Sequence, residues 1–158
     1  MCGLTGFIDF SRRTAEDVLR ERARAMSETL RHRGPDDGGV WVDADAGVAM
    51  GFRRLSIIDL SDMGHQPMAS SNGRYVIVFN GEVYNYRELR DELTPAGARF
   101  TGSSDTEVIL EAIQAWGLEA AVRRFVGMFA IALWDRKERA LHLVRDRIGV
   151  KPLYWGRQ

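Results

Sequence analysis

The apolar residues of this chain follow two patterns, one continuous and one periodic. Residues 75–79 and 128–134 are apolar at every position, which is typical of strands that are covered on both faces. Shorter strands are predicted at residues 3–10, 40–42, 48–52 and 141–144. The turn-like residues 43–47 separate the second of these from the third, so the two are expected to form a hairpin.

Three segments instead repeat their apolar residues at the helical period. Thr14 with Asp17 indicates the start of the first helix. Asn85 with Glu88 is expected to cap the second, and Ser104 precedes the third. The predicted buried faces are Leu19, Ala23, Met26 and Leu30 in the first helix, Leu89 and Leu93 in the second, and Ile109, Ala112, Ile113 and Trp116 in the third.

The order of these elements bears on the fold class. Strands come first, helices occupy the middle and strands follow, with little strand–helix alternation, which favours an α+β layered fold over a doubly wound sheet. Helices on both sides of two stacked sheets would account for strands that are apolar on both faces. With 158 residues, the chain has room for one domain, residues 1–158, and is too short for two ordinary ones. The charged run 135–139 is expected to be a solvated hairpin tip.

Charge and composition exclude several kinds of partner. The 22 basic residues balance the 22 acidic ones, so no overall field favours nucleic acid or an anionic membrane. No segment approaches the ~20 apolar residues that span a bilayer, and the start lacks the apolar segment of a signal peptide. Small-molecule chemistry in the cytoplasm is therefore expected.

Cys2 is the only cysteine, which excludes an intramolecular disulfide and a thiolate metal cluster within the chain. The three histidines, His32, His65 and His142, show no metal-ligand spacing. Removal of Met1 would leave Cys2 with a free α-amino group, whose ordinary pKa of about 7.7 to 8.0 suits a base for the thiol. The alternative is a cysteine that packs as a small hydrophobic residue.

Seven motifs occur in order along the whole chain. They are MCGLTGF (1–7), RHRGPDD (31–37), RLSIIDL (54–60), NGEVYNY (80–86), SDTE (104–107), GMFAIALWD (127–135) and RDRIGVKPLY (145–154). Together they resemble the glutaminase domain of glutamine-hydrolysing asparagine synthetases, within the class II glutamine amidotransferases of the N-terminal-nucleophile hydrolase superfamily. The resemblance implies the four-layer αββα sandwich of that superfamily, in agreement with the layered order of elements.

Asn80, Gly81 and Glu82 follow the apolar strand 75–79, so they are expected at a strand end that faces a cleft. The Asn80 amide and the Gly81 N–H could supply two donors to an oxyanion. An ordinary turn would usually explain an Asn-Gly dipeptide between strands. The resemblance assigns the oxyanion role to Asn80 and Gly81, and it places Glu82 beside the substrate amine.

Two charged residues are candidates for binding the ends of an α-amino acid. A guanidinium binds a carboxylate through two parallel hydrogen bonds, although Arg54 could also be a surface arginine beside Arg53. Asp105 could simply complement the dipole of a helix start. By resemblance, Arg54 binds the α-carboxylate and Asp105 the α-ammonium. The backbone of Ile57 and Ile58 would line the pocket.

Two further segments carry less chemical information. Glycine and proline already explain residues 31–39 and 145–154 as turns, and structural roles are favoured for both. Phe52 stands where many members of the family have histidine before the Arg-Arg pair. This departure leaves the proposed nucleophile and pocket residues intact and affects only local packing.

The resemblance implies that Cys2 attacks the side-chain amide of glutamine, releasing ammonia and then glutamate. This half of the reaction needs no metal or organic cofactor. ATP and magnesium are expected only in a synthetase half, because the chain has no Gly-rich phosphate-binding loop. The expected partners are glutamine and a synthetase domain or subunit, and a homo-oligomer is left open.

Three alternatives remain at this point. A non-catalytic interaction or ammonia-channelling module would keep the fold without using Cys2. An N-terminal cysteine amidase for another amide would not need Arg54 and Asp105, which fit an α-amino acid. An amidotransferase could also deliver its ammonia to an acceptor other than aspartate.

Overall fold

The computed structural model describes residues 2–57 and 61–157. Its strands and helices, in chain order, are β1 (Gly3–Ile8), α1 (Glu16–Glu28), β2 (Asp37–Asp43), β3 (Val48–Arg54), β4 (Met68–Ala69), β5 (Tyr75–Val83), α2 (Tyr86–Leu93), α3 (Asp105–Trp116), α4 (Leu118–Arg124), β6 (Gly127–Asp135) and β7 (Ala140–Arg145). A 3-10 helix, Asp62–Gly64, precedes β4. None of the helices in this part of the chain has the length and apolar run that a bilayer crossing requires.

The first sheet has the strand order β1-β3-β2, with both outer strands antiparallel to β3. The predicted hairpin is formed by β2 and β3, and Gly47 in its turn has a φ of 71°, a left-handed conformation that favours glycine. β1 pairs with the other side of β3, with Gly3 opposite Arg53. The start of β1 is thereby held beside the end of β3.

The second sheet has the order β4-β5-β6-β7 and is antiparallel throughout. Successive side chains of a strand point to opposite faces. In β5, Ile77 and Phe79 pack among the helices, whereas Val76 and Val78 face the first sheet. The continuous apolar run is therefore explained by burial of both faces, as predicted.

The fold has four layers, which are α1, the first sheet, the second sheet, and the helices α2, α3 and α4. A hydrophobic cluster lies between each layer and the next. Leu19 and Ala23 of α1 pack with Ala49 on the outer face of the first sheet. A second cluster, which includes Phe52 and Trp134, lies between the two sheets. The third joins the outer face of the second sheet to α2, α3 and α4. The α+β class and the αββα sandwich are confirmed.

Two predicted helix starts are wrong in detail. α1 follows Ala15, which cannot cap through its side chain, and not the Thr14 signal. Asn85 does precede α2, but its side chain does not cap the helix. It instead accepts the N–H of Val126 at 2.9 Å and donates to the carbonyl of Arg124 at 3.0 Å. The residue therefore ties the start of α2 to the segment before β6.

The predicted buried face of α1 is also partly wrong. Leu19 and Ala23 are buried, whereas Met26 is exposed and Ser27 is buried in its place. A Cβ added to Gly51 of β3 would lie 3.0 Å from the Ser27 Cβ. The helix thus approaches the sheet closely at this point, which favours a small residue over a larger apolar one.

The charged turn 135–139 is not solvated throughout, because Asp135 is buried. Its carboxylate accepts Arg74 Nη2 at 2.6 Å and the N–H groups of Lys137 and Glu138. Burial acts to raise the pKa of Asp135, but the hydrogen bonds from Arg74 and the turn outweigh it and hold the pKa below its usual value. Asp135 therefore organises the turn from inside.

The RDRIGVKPLY motif is attached to the second sheet. The Asp146 carboxylate accepts the N–H of Phe129 at 3.1 Å and that of Lys151 at 2.9 Å. Beyond this attachment, Tyr154 and Trp155 are 90% and 81% exposed. The favoured structural role of the motif fits these contacts, and residues 153–155 form no buried strand.

Candidate active site

Cys2 lies just before β1, beside the chain that leaves β3. Its Sγ accepts the N–H of Leu55 at 3.4 Å and donates to the Leu55 carbonyl at 3.6 Å. The side chain is half-buried against the cluster between the two sheets. Because Gly3 pairs with Arg53, the single thiol of the chain is held next to Arg54.

The RHRGPDD motif supports this arrangement. Arg33 Nε donates to the Cys2 carbonyl at 3.2 Å, and the Asp36 carboxylate accepts the N–H of Ser56 at 2.9 Å. A side chain on Gly34 would overlap the backbone at the end of β3, so the turn can pack there only with glycine. The structural role favoured for this motif therefore includes holding the backbone of Cys2 in place.

Asn80, Gly81 and Glu82 lie inside β5 and not beyond its end. The strand continues to Val83 and pairs with β6 throughout, with Gly81 opposite Phe129. The expected strand end after residue 79 and the alternative of an Asn-Gly turn are both wrong. The reason is that β6 continues the backbone pairing past the apolar part of β5.

At this end of β5, no strand among residues 2–57 and 61–157 pairs with its other edge, because β4 pairs only with Ile77 and Val76. In an antiparallel strand, the N–H groups alternate between the two edges. The Phe79 N–H points to this other edge and donates to a side chain at 2.7 Å, and the Val83 N–H does the same at 3.0 Å. The N–H of Gly81, midway between them, points the same way, and no acceptor among the described residues bonds to it.

The side chain of Asn80 is 6% exposed and follows Val76 and Val78 along one face of β5. That face is directed at the first sheet, and Cys2 packs against the same cluster. The Asn80 amide and the Cys2 thiol therefore belong to one layer of the sandwich. Glu82, which is only partly buried, is the next residue on this face.

Gly81 cannot carry a side chain in this strand. A Cβ there would overlap the carbonyl oxygen of Met128 and would lie 2.7 Å from the Cα of Phe129. Both are backbone atoms of β6, which cannot rotate away. Glycine is therefore required at this position because β6 lies so close, whether or not a ligand binds there.

Asp105 is the first residue of α3, and Ser104 caps this helix as predicted by accepting the N–H of Glu107 at 3.3 Å. Burial raises the pKa of Asp105 to about 6, and the charge of Glu82 adds to the rise, although the N–H of Val83 opposes it. The two carboxylates thus lie close enough to repel each other, one on α3 and one on β5.

An ionised Asp105 destabilises the fold. Because its pKa is raised from 3.8 to about 6, the folded state binds the proton more tightly than the unfolded state does. The destabilisation is absent below pH 3.8, grows as the pH rises to about 6, and reaches roughly 3 kcal/mol at neutral pH. A buried carboxylate kept beside another one at this cost is typical of a functional site.

Arg54 ends β3 and is buried, with 7% exposure, so the alternative of a surface arginine is wrong. Its Nη1 donates to the carbonyl of Ser61 at 2.8 Å. A Cβ on Gly64 would overlap the guanidinium, so the 3-10 helix packs directly on it. Ile57 is 69% exposed, and Ile58 lies outside the described residues.

Gln66 belongs to this region, although no motif or periodic pattern in the sequence marks it. The buried side chain accepts the Phe79 N–H through Oε1 and donates from Nε2 to Thr106 Oγ1 at 3.1 Å. It thereby joins the segment before β4 to both β5 and α3. The only signal in the sequence is a polar residue before a proline, which does not reveal where the amide points.

The candidate residues fall into two groups that the connection between β3 and β4 joins. The first group, at the end of the first sheet, comprises Cys2 and Arg54. The second group, on the last residues of β5 and the start of α3, comprises Asn80, Gly81, Glu82 and Asp105. Ser61 and Gly64 of the connection contact the first group, and Gln66 contacts β5.

The chain belongs to the glutamine amidotransferase domain family, which it matches over residues 1–158. A Mycobacterium tuberculosis protein with a provisional name as an asparagine synthetase (glutamine-hydrolyzing) is 48% identical over 165 residues, covering 98% of this chain and 25% of that protein. Asparagine synthetase (glutamine-hydrolyzing) 3 of Bacillus subtilis is 40% identical over 160 residues, covering 100% of this chain and 25% of that protein. The resemblance found in the seven motifs is confirmed.

A solved structure shares the fold. The glutamine phosphoribosylpyrophosphate amidotransferase of Bacillus subtilis, complexed with ADP and GMP, matches with a TM-score of 0.60 over 73% of this chain and 32% of that chain. At 19% identity, this likeness concerns the fold alone. The chain spans about a quarter of the length of the curated relatives it matches.

Proposed function

We propose that the chain hydrolyses glutamine to glutamate and ammonia, with Cys2 as the nucleophile. The observation that carries this proposal is the place of the only thiol in a glutamine amidotransferase domain. Cys2 is the second residue, half-buried, and hydrogen-bonded to the backbone beside the buried Arg54. A cysteine that served only to pack would not need this backbone contact.

The mechanism uses both the α-amine and the thiol of Cys2. After removal of Met1, the α-amine accepts the thiol proton, and the sulfur attacks the carboxamide carbon of glutamine. The Asn80 amide and the Gly81 N–H stabilise the oxyanion that forms. The C–N bond then breaks, ammonia leaves with the proton from the α-ammonium, and water hydrolyses the thioester to glutamate. These steps require no metal or organic cofactor.

Substrate recognition is assigned to charged residues of both groups. Arg54 binds the α-carboxylate of glutamine, and the backbone of Ile57 and Ile58 lines the pocket beside it. Asp105 and Glu82 bind the α-ammonium. This last assignment is supported by the mutual repulsion of the two carboxylates, because a cation placed between them would relieve it.

Asp105→Asn is expected to make the protein more stable and less able to bind glutamine. Asparagine keeps an acceptor for the Val83 N–H but removes the buried charge, so the free energy of unfolding should rise at pH 8 by up to about 3 kcal/mol. The gain should shrink as the pH falls through about 6. The KM for glutamine should rise, with a smaller change in kcat, because the α-ammonium is remote from the reacting carbon.

Chemical denaturation at pH 8 and pH 4, together with steady-state glutaminase kinetics, measures both effects. Asp91→Asn on the exposed surface of α2 is the matched control and should change neither quantity. A destabilised Asp105→Asn protein with an unchanged KM would show that Asp105 is a structural residue of the helix start.

The acceptor of the ammonia is a separate part of the proposal. The named relatives are asparagine synthetases about four times the length of this chain, which supports transfer of the ammonia to aspartate by an ATP- and magnesium-dependent synthetase half. The exposed Tyr154 and Trp155 are suited to the surface that meets this half, since large exposed aromatic residues favour protein contacts.

The 158-residue chain alone is expected to release glutamate and ammonia from glutamine and to form no asparagine from aspartate, ATP and magnesium. Coupled assays for glutamate and ammonia, and mass spectrometry for asparagine, measure the three products. Adding a synthetase half should yield asparagine and link glutamine use to ATP use. ATP-dependent asparagine formation by the chain alone would contradict this division of labour. Absence of any glutaminase activity after Met1 removal would instead favour a non-catalytic module.

A further inference from the structure

A polar cleft lies on the outer face of the first sheet, between α1 and β2. It has a volume of about 160 Å³, and its lining includes three arginines, Arg20, Arg24 and Arg53. Glu28 is the only acidic residue of this lining. At roughly 30 Å³ for each water molecule, the cleft has room for about five waters or for a small polyatomic anion.

Arg53 is the most deeply buried of the three arginines that line this cleft. Its side chain is 13% exposed, and Nη1 lies 3.3 Å from the Glu28 carboxylate. Its Nε is buried and has no hydrogen-bond partner among the described residues. Because Nε is closed to solvent, a ligand in the cleft could contact only the exposed part of this side chain.

Gly38 leaves room for the Arg53 guanidinium because it has no side chain. A Cβ at residue 38 would lie 2.5 Å from Arg53 Nη1 and 2.9 Å from its Cδ, so any other residue would displace the arginine. The glycine belongs to β2, an edge strand that pairs only with β3 among the described strands.

The charge of the cleft is not neutralised within the described residues. Arg20 pairs with Glu16, and Arg53 pairs with Glu28. Arg24 is exposed and has no ion pair or side-chain hydrogen bond in this part of the chain. Two paired arginines and one unpaired arginine leave a net positive charge around a concave space.

We propose that this cleft binds a small oxyanion of the phosphate class. The planar guanidinium groups of Arg53 and Arg24 can each direct two N–H donors at a tetrahedral group. The donors of Arg53 would come from its terminal nitrogens, because Nε is closed to solvent. The phosphate group would come from free phosphate or from a nucleotide, and the two sources share the same contacts.

This cleft is separate from the candidate glutamine site. Arg53 and Arg54 are successive residues of β3, so their side chains point to opposite faces of the sheet. Arg53 is directed to α1, whereas Arg54 contacts Ser61 and Gly64 on the other side. An anion on Arg53 would therefore leave the glutamine pocket accessible.

A phosphate titration of the 158-residue chain, followed by amide NMR, tests the proposal. Saturable shifts are expected at the amides of Gly38 and Gly39, with binding at least tenfold weaker in Arg24→Gln. Arg22→Gln is the matched control, because Arg22 is an exposed arginine of the same helix outside the cleft. Arg54→Lys should leave the phosphate affinity unchanged, which separates this cleft from the glutamine pocket.

The choice of anion distinguishes the source of the phosphate group. Tighter binding of AMP than of inorganic phosphate, with both lost in Arg24→Gln, would assign the cleft to a nucleotide, and equal binding would assign it to free phosphate. Acetate at the same ionic strength should give at least tenfold weaker shifts. Acetate as strong as phosphate, equal losses in Arg22→Gln and Arg24→Gln, or no saturable shift would overturn the proposal.

Discussion

Replacing Cys2 with alanine is expected to lower glutamine hydrolysis by at least about a thousandfold, because no other group in the chain can form the thioester. Cys2 is the only cysteine, so no second thiol can substitute for it. The fold should survive, since Cys2 is half-buried and lies before β1. Ammonia release and the thermal unfolding midpoint measure the two effects.

Cys2→Ser is the matched variant, because the hydroxyl preserves the size of the side chain and can bond the Leu55 backbone in the same way. It should also lose nearly all activity, since a serine hydroxyl ionises far less readily than a thiol. A Cys2→Ala protein that retained substantial turnover would exclude the thioester mechanism. An active protein that still carried Met1 would exclude the α-amine as the base.

Asn80→Ala is expected to lower kcat by about a hundredfold or more, the usual effect of losing one oxyanion donor worth roughly 3 kcal/mol. The KM should change less, because the donor is required mainly in the transition state. Gly81 cannot be tested in the same way, since a side chain there would overlap β6. Steady-state kinetics over a range of glutamine concentrations separates kcat from KM.

Asn72→Ala is the control for Asn80→Ala, because Asn72 is an exposed asparagine in the turn before β5. It should leave both kinetic constants within a few-fold of the parent. A change confined to KM in Asn80→Ala would assign Asn80 to substrate binding. An unchanged kcat with a lower unfolding midpoint would assign it to packing between the sheets.

The layered fold was predictable because a strand that is buried on both faces is apolar at every position. The runs 75–79 and 128–134 are apolar throughout since β5 and β6 lie between helices and a second sheet. The end of β5 was not predictable in the same way. Its last residues pair with β6 through backbone bonds, and backbone pairing imposes no apolar pattern on the side chains.

Side-chain partners that are distant in sequence explain the other differences. Asn85 stands where a helix cap is expected, yet its amide bonds residues near 125, which adjoin it only in the folded chain. No sequence pattern predicts the contacts of Gln66 with Phe79 and Thr106. Local signals predict which elements form, whereas these contacts depend on how the elements pack.

The candidate site was predictable from its motifs, and its geometry was not. From the sequence alone, Arg54 could be a surface arginine and Asp105 an acid that complements a helix dipole, and both side chains are buried in the structure. Their burial arises from the connection between β3 and β4 and from the docking of α3 on β5. Neither feature has a periodic signature, because each depends on contacts between separate elements.

The edge of β5 opposite β6 has a consequence for how this protein avoids association with other chains. A bare strand edge is a template on which a foreign strand can pair and begin aggregation. Gln66 and Asp105 occupy the two donors on either side of Gly81, so an incoming strand would find only a single isolated N–H. The side chains that isolate this donor thus also protect the edge from strand addition.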